Sequence, residues 1–260
     1  MPLTRRIYPT RFEHLHLRSH DGKGVPLVLL HPSPRSGAMW AAFQEKFPRP
    51  TLAPDRLGYG FSDGPPWALS LEQYAQATVD ALKAAGLQGP FDLLGVHTGS
   101  IEAIEIGHQL SGQVRRVIAV GMPLFTKEEQ QRQMERYSEQ PLKPLTDGGH
   151  VLGAWRGGFA ERLPPYDLAD MHRRFIEHVL AANPGAAFKA ASSYPIEKKL
   201  KGLKPPLVVL APHDEIVEQT VRVKPMLKGS GVYVDLPDLG QDPFHRNLDR
   251  MIELVERYTG

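Results

Sequence analysis

Short apolar runs of strand length alternate along the chain with stretches whose apolar residues repeat at helical spacing. Most of these runs are unbroken series of valine, leucine and isoleucine, which is typical of parallel strands covered by helices on both faces. They lie at residues 25–31, 51–54, 91–96, 114–120, 206–211 and 232–236. The alternation predicts an α/β fold with a mostly parallel central sheet flanked by helices.

Other segments complete this pattern. Residues 12–17 (FEHLHL) alternate apolar and polar positions, which predicts an antiparallel strand at the edge of the sheet. Helical spacing predicts helices over residues 71–85, with Ser70 as the N-cap, over 101–110 and over 247–258.

The strand signal disappears between Pro123 and Pro205, where charged stretches of helical character take over. A segment of this length is too long for a structureless loop in a compact domain. We therefore predict one domain, with an α/β core of residues 1–122 and 206–260 and a helical cap of residues 123–205. The cap is expected over the carboxyl ends of the strands, where open α/β sheets bind ligands.

The composition narrows the range of partners. A chain of 260 residues buries one sizeable core. Its 31 basic and 29 acidic residues are interspersed, with a net charge of +2, so we expect a small-molecule substrate and no nucleic-acid or membrane partner. The absence of cysteine excludes disulfides, thiolate metal sites and a catalytic thiol. Without a signal-peptide core or membrane-spanning run, we expect a cytoplasmic monomer or homodimer.

The most informative segment is residues 91–100, FDLLGVHTGS, where a buried strand runs directly into Gly95-x-His97-x-Gly99 and then into a helix. In the nucleophile elbow G-x-S-x-G, the middle residue lies on a sharp strand-to-helix turn, and crowded backbones require the flanking glycines. His97 occupies this middle position.

Three further segments make the chain resemble the α/β-hydrolase superfamily. The sequence HPSP at residues 31–34 resembles the oxyanion loop of this superfamily. The sequence PDRLGYGFSD at residues 54–63 resembles the family segment D-x-R/P-G-y-G-x-S. The sequence APHD at residues 211–214 resembles the loop that presents the catalytic acid. The elbow GVHTG also resembles that of a bacterial subgroup with G-x-H-T-G, a likeness that implies no particular reaction. The resemblance implies that Asp214 is the acid and that the amides of Ser33 and Thr98 form an oxyanion hole.

The final loop departs from the family pattern. It usually reads G-H, with the histidine as general base, whereas residues 239–245 here read LGQDPFH. Gln241, which cannot shuttle protons, aligns with the base, and His245 would replace it only in a shifted register. A standard Ser-His-Asp mechanism is therefore excluded at the expected positions.

Three hypotheses follow from these residues. The first is a cofactor-independent enzyme that hydrolyses a small ester or other carbonyl compound, with His97 as base or nucleophile. Asp214, Gln241 and His245 are its other catalytic candidates. The second is a lyase or cofactor-free oxygenase in which His97 is a general base. The third is a non-catalytic homologue that binds a ligand.

Further candidates concern the binding of substrate and metal. His31 and Arg35 flank the predicted oxyanion loop, and Arg35 is suited either to a substrate carboxylate or to a surface ion pair. Trp155 and His172 are candidates for lining the pocket from the cap, where packing is the alternative role. The eleven histidines are scattered, with no H-E-x-x-H motif, so we predict no metal site.

Overall fold

The computed structural model describes residues 3–137, 142–162, 166–227 and 229–260. Within them the strands form an eight-stranded sheet of order β1-β2-β4-β3-β5-β6-β7-β8. The pairs β1–β2 and β2–β4 are antiparallel, and all other neighbours are parallel. The predicted α/β fold is thus confirmed. The strands are β1 Thr4–Pro9, β2 His14–His20, β3 Leu27–Leu30, β4 Thr51–Pro54, β5 Phe91–Val96, β6 Val114–Val120, β7 Leu207–Pro212 and β8 Val232–Leu236.

The antiparallel end of the sheet differs from the prediction. The alternating segment forms β2, but β1 covers its outer side, so β1 is the edge strand. The sequence of β1, TRRIYP, is almost entirely exposed and carries two arginines, so it has no apolar run that would have revealed a strand. Charged side chains on an edge strand oppose pairing with a second chain.

The helices surround this sheet. Ser70 caps α2 as predicted, because its hydroxyl accepts the Gln73 amide and the Gln73 side chain accepts the Ser70 amide. The helices are α1 Ala41–Lys46, α2 Leu71–Ala84, α3 Thr98–Gln109, α4 Lys127–Arg136, α5 Gly149–Gly158, α6 Leu168–Leu180, α7 Ala186–Ser193, α8 Ile196–Gly202, α9 Val217–Val221, α10 Pro243–Arg246 and α11 Leu248–Thr259.

Two apolar cores lie on opposite faces of the sheet. Adjacent residues of β5 divide between them, since Leu93 packs with α2 and α3 whereas Leu94 packs with α1 and α11. Alternation along a strand places successive side chains on opposite faces, and both faces of β5 are buried. The central strand is therefore fixed from both sides, and so is the turn that follows it.

The elements described between β6 and β7 are helical, from α4 to α8. The cap that we predict for residues 123–205, over the ends of the strands, stays a prediction. We refer to residues 123–205 as the helical insertion. None of the described helices combines the length and the apolar character needed to cross a bilayer.

A buried ion pair ties α3 to the loop after β4. The Arg56 guanidinium donates to Oε2 of Glu102 from Nε at 2.8 Å and from a terminal nitrogen at 2.6 Å, and each side chain is 2% exposed. Thr78 donates to the other Glu102 oxygen at 2.7 Å. Arg56 also donates to the Ser33 hydroxyl at 2.7 Å and to the His31 carbonyl at 3.1 Å. The pair therefore fixes the loop after β3 against α3.

We expect Arg56→Met to destabilise the fold by about 3–5 kcal/mol, because it leaves the Glu102 carboxylate buried without its partner. Urea unfolding gives the free energy of unfolding. Glu102→Leu in the same chain should recover much of the loss. In the exposed pair of Arg250 and Glu253, the matched change Arg250→Met should alter stability by no more than about 0.5 kcal/mol. Equal effects of the two arginine variants would contradict the prediction.

Candidate active site

The turn between β5 and α3 places His97 in a backbone conformation that non-glycine residues rarely adopt, with φ of 49°. The backbones around it approach closely. A Cβ at Gly95 would lie 2.1 Å from the Gly99 carbonyl oxygen, and one at Gly99 would lie 2.2 Å from that of Leu30. The His97 amide donates to the Val120 carbonyl at 3.0 Å. Both glycines are therefore required for the strained elbow that the motif predicts.

The His97 side chain reaches the loop after β7. Its Nε2 lies 2.8 Å from Oδ2 of Asp214, whose other oxygen accepts the Ile216 amide at 3.0 Å. The Asp214 side chain is 3% exposed, whereas that of His97 is 24% exposed. The structure thus joins the predicted elbow residue directly to the predicted acid.

Gly121, at the end of β6, provides the space for this contact. A Cβ there would lie 2.7 Å from Cδ2 and 2.9 Å from Nε2 of His97, and the φ of Gly121 is +61°. Sequence reasoning missed this residue. The available signal was a glycine directly after the strand that neighbours the elbow strand.

The pairing determines the protonation of the ring. Burial lowers the pKa of His97, but the hydrogen bond and charge of Asp214, with the charges of Glu215 and Asp242, outweigh burial and raise it above its ordinary value. A carboxylate accepts hydrogen bonds, so Nε2 carries a proton and neutral His97 keeps its lone pair on Nδ1. In the part of the chain that the structure describes, Nδ1 has no hydrogen-bond partner. It is the basic atom of the site.

The predicted oxyanion hole differs from its expected form. The Ser33 amide donates to the Thr98 hydroxyl at 2.8 Å, so it is already satisfied within the chain. The Thr98 amide, at the first position of α3, has no acceptor among the described residues, as expected for an N-terminal helix position. One of the two predicted donors is therefore open in this structure.

The final loop does not bring a second base to His97. Gln241 and His245 line a cavity together with Tyr166 and Asp170, and His245 is exposed. His97 forms its hydrogen bond with Asp214 and with neither of them. Their catalytic roles stay predictions, and in this structure the ring of His97 makes the contact with the acid that a histidine of this loop would make.

His31, the candidate for substrate binding, is only 1% exposed. Its Nδ1 donates to the Pro32 carbonyl at 2.9 Å, and its Nε2 accepts the Arg56 amide at 2.9 Å. Burial, with the nearby charge of Arg56, lowers the pKa of His31 to about 4, so the ring is neutral. His31 braces the loop instead of facing a ligand.

Arg35 binds the helical insertion. Its Nε donates to Glu177 of α6, whose other oxygen accepts the Ser36 hydroxyl at 2.6 Å and the Ser36 amide at 3.2 Å. Asp242 of the final loop accepts a hydrogen bond from Arg174 of α6 and lies 4.0 Å from Arg35. We call Arg35, Ser36, Arg174, Glu177 and Asp242 the α6 latch. Sequence reasoning missed its acidic members, because nothing local in the sequence links residues so far apart.

The remaining candidates lie elsewhere. Trp155 packs on Phe159 and Phe175 at ring distances of 6.4 and 5.3 Å, which is the packing alternative, and His172 is exposed. The absence of a metal site stays a prediction. Among the described residues, ligand atoms of Glu13, His14 and Asp63 lie within 4.8 Å of one another, on a largely exposed surface.

Comparison with known proteins identifies similar sequences. A family model described as "Alpha/beta hydrolase family" matches residues 27–254. The 2-hydroxymuconate semialdehyde hydrolase of a Pseudomonas strain is 26% identical over 169 residues, 62% of this chain and 54% of that protein. The Pseudomonas putida protein of the same name is 30% identical over 108 residues, 39% of this chain and 38% of that protein. The matches thus span about half or less of these relatives.

Solved structures match over nearly the whole chain. A thermophilic esterase from Thermogutta terrifontis superposes with a TM-score of 0.76 at 18% identity, covering 98% of this chain and 97% of that one. An enol-lactonase from Burkholderia xenovorans superposes with a TM-score of 0.75 at 17% identity, covering 97% of this chain and 99% of that one. At such identities the likeness concerns the fold.

NMR titration of the ring protons tests the pairing of His97. We expect a His97 pKa above 6.5 in the wild-type chain and below 6.5 in Asp214→Asn, where burial is no longer opposed by a carboxylate. Gly121→Ala should lower the pKa in the same direction by displacing the ring. His97→Gln assigns the signal. A pKa that is the same in the wild type and in Asp214→Asn would contradict the assignment.

The same shift predicts a dependence of stability on pH. Because the folded pKa is raised above the unfolded one, the stabilisation from the pair is fully present below about pH 6.5 and is lost as the pH rises through the folded pKa. Asp214→Asn should therefore destabilise the fold more at pH 6 than at pH 9. Urea unfolding at both pH values measures this, and an equal loss at both would contradict the prediction.

Proposed function

The chain belongs to the alpha/beta hydrolase family, and from this premise we propose that it hydrolyses a small ester or another carbonyl compound, without a cofactor and with His97 as the general base. One observation carries the proposal. The 2.8 Å contact with Asp214 occupies Nε2 of a partly exposed imidazole and leaves Nδ1 free. A base needs this arrangement, with one nitrogen oriented by a carboxylate and the other free to take a proton.

The proposed reaction proceeds in two steps. Nδ1 of His97 accepts a proton from water while the water oxygen attacks the carbonyl carbon and forms a tetrahedral oxyanion. The Thr98 amide donates to this oxyanion, and the Ser33 amide adds a second hydrogen bond when the Thr98 hydroxyl turns away. The imidazolium, stabilised by Asp214, then returns the proton to the leaving oxygen as its bond to carbon breaks. The products are an acid and an alcohol.

The surroundings of the elbow support a base over a displaced serine nucleophile. Ser100, one turn into α3, is fully buried. Its hydroxyl donates to the Gly95 carbonyl at 2.8 Å and lies 3.3 Å from the carbonyl oxygens of Val120 and Gly121.

Attack by Nδ1 of His97 itself would form an acyl-imidazole. A burst of the alcohol product in the first turnover distinguishes that route from base catalysis.

The similar proteins support the choice of reaction. Those reported above are a semialdehyde hydrolase, an esterase and an enol-lactonase by name. The proteins share this fold, and the semialdehyde hydrolases also share part of the sequence. The resemblance to a hydrolase therefore supports hydrolysis of a carbonyl compound as the reaction class, while the substrate depends on the helical insertion.

The open Nδ1 also supports a second candidate, a lyase or cofactor-free oxygenase in which His97 removes a proton from carbon. Among the described residues His97 forms no hydrogen bond with a hydroxyl group, so its free Nδ1 is available to take a proton from carbon. Exchange of substrate protons for solvent deuterium, without hydrolysis and absent in His97→Gln, would favour this reaction.

Short p-nitrophenyl esters test the hydrolase proposal. We expect wild-type turnover, with kcat/KM reduced by about 100-fold or more in His97→Gln because the base is lost. The rate should rise with pH through the raised pKa of His97, since only the neutral ring accepts a proton. His245→Ala, which removes an exposed histidine outside the site, is the matched control and should keep the wild-type rate.

Two results would contradict the roles proposed for these residues, and a third would favour a protein without catalytic activity. Turnover that survives in His97→Gln would remove His97 from the mechanism, and loss of turnover in His245→Ala would restore the final-loop base. An absence of both ester turnover and deuterium exchange, together with recovery of an unaltered bound ligand, would favour the non-catalytic alternative.

A further inference from the structure

Arg18, on β2, is a buried cation that forms no hydrogen bond or ion pair with the described part of the chain. Its residue exposure is 7%, and its Nε is buried with no hydrogen-bond acceptor. Among the residues that the structure describes, its guanidinium makes neither a hydrogen bond nor an ion pair. Burying an unpaired charge is costly, so such a group is retained most readily where a ligand supplies the missing counter-charge.

The residue paired with Arg18 across the antiparallel strands carries a charge of the same sign. Arg5 of β1 stands directly opposite Arg18 in the antiparallel register, so both side chains emerge on one face of the sheet. Arg5 also has no ion pair among the described residues. Burial lowers the pKa of Arg18 and the positive charge of Arg5 lowers it further, and the charges of Asp55 and Glu177 only partly offset these two effects. The pair therefore forms a site of two guanidinium groups.

The carboxylates in this region are already engaged. Asp55 accepts hydrogen bonds from the Gly37 amide at 2.6 Å and the Phe61 amide at 2.9 Å, and its Oδ2 lies 2.9 Å from Nδ1 of His16. Glu177 belongs to the α6 latch. The charges of both carboxylates act favourably on Arg18, but neither carboxylate forms an ion pair or a hydrogen bond with it, because both are held by other donors.

A partly apolar groove adjoins the two arginines. The groove is lined by Arg5, Arg6, Ile7, His16 and Phe61, and the side chains of Ile7 and Phe61 are 63% and 61% exposed. Ile7 stands opposite His16, two residues along from the pair Arg5 and Arg18. The two arginines and the groove therefore lie next to each other on the same face of the sheet. A molecule with an anionic end and an apolar end matches this sequence of surfaces.

We propose that Arg5 and Arg18 bind the phosphate of a small phosphate monoester whose apolar part lies on Ile7 and Phe61. A dianion neutralises both guanidinium groups, and its three terminal oxygens accept hydrogen bonds from two forked donors, whereas a carboxylate neutralises only one. None of these four residues forms a hydrogen bond with His97 or Asp214. This site is additional to the elbow, and its occupancy does not depend on the proposed hydrolase activity.

Calorimetric titration with phenyl phosphate, inorganic phosphate and benzoate tests the site in the full chain at constant ionic strength. We expect phenyl phosphate to bind more tightly than the other two, since it alone combines the dianion with an apolar ring. Arg18→Met and Arg5→Ala should each weaken its binding by about tenfold or more. Arg257→Ala, which removes an exposed arginine of α11, is the matched control and should leave binding unchanged.

Thermal unfolding provides a second readout. Without ligand, Arg18→Met should raise the Tm, because it removes a buried unpaired charge while keeping an unbranched apolar stem. Phenyl phosphate should raise the Tm of the wild type and not that of Arg18→Met. If Arg18→Met still folds but phenyl phosphate no longer raises its Tm, Arg18 binds the ligand and is not required for the fold.

Three results would overturn the proposal. They are no phenyl phosphate binding in the wild type, binding that Arg18→Met and Arg5→Ala leave unchanged, and binding to vesicles containing phosphatidic acid without binding to phenyl phosphate. The last would assign the arginines to a lipid headgroup. Because Arg5→Ala alters an exposed side chain, it tests the site even if Arg18→Met does not fold.

Discussion

Backbone crowding at the elbow decides where the groups of the candidate site lie. The carbonyl of Leu30 and the first turn of α3 approach so closely that only hydrogen atoms fit at Gly95 and Gly99. His97 is held between them at a positive φ, a strain of about 1–3 kcal/mol that persists only where surrounding structure imposes it. Burial of β5 on both faces and the Arg56–Glu102 pair supply that structure.

Because of this geometry, the length of the side chain at the elbow decides whether it reaches Asp214 directly. A hydroxyl at this position would need an imidazole between itself and the acid, which is the role of the final-loop histidine in the family pattern. The ring of His97 spans that gap and contacts Asp214 itself, and Gly121 leaves room for it. The final loop is thereby free for another role, and Asp242, next to Gln241, bonds Arg174 of α6. The contact of His97 with Asp214 and the contact of the final loop with α6 are thus compatible in one structure.

The sequence predicted the parallel part of the sheet closely, because strands buried on both faces have continuous apolar runs. It also located His97 and Asp214, since the elbow and the acid loop are local motifs at strand ends. It failed for β1, whose residues are exposed and polar, and for Glu177, whose partners Arg35 and Ser36 are more than a hundred residues away. The motif shows that a histidine, His31, follows β3, but it does not show that Arg56 donates its amide to this ring.

The arginines discussed above differ in whether a carboxylate of the chain pairs with their charge. Arg56 meets a carboxylate at 2.6 Å, and Arg35 and Arg174 meet those of the α6 latch, so each is paired by the chain itself. Such pairs connect segments that apolar packing alone would not hold in register, and removal of one partner is costly. Arg18 is also buried, but it stands opposite Arg5 and forms no ion pair with a described acid. If burial of charge served only to join segments, an apolar side chain would be more stable at Arg18. Its retention is therefore explained better by a counter-ion from outside the chain.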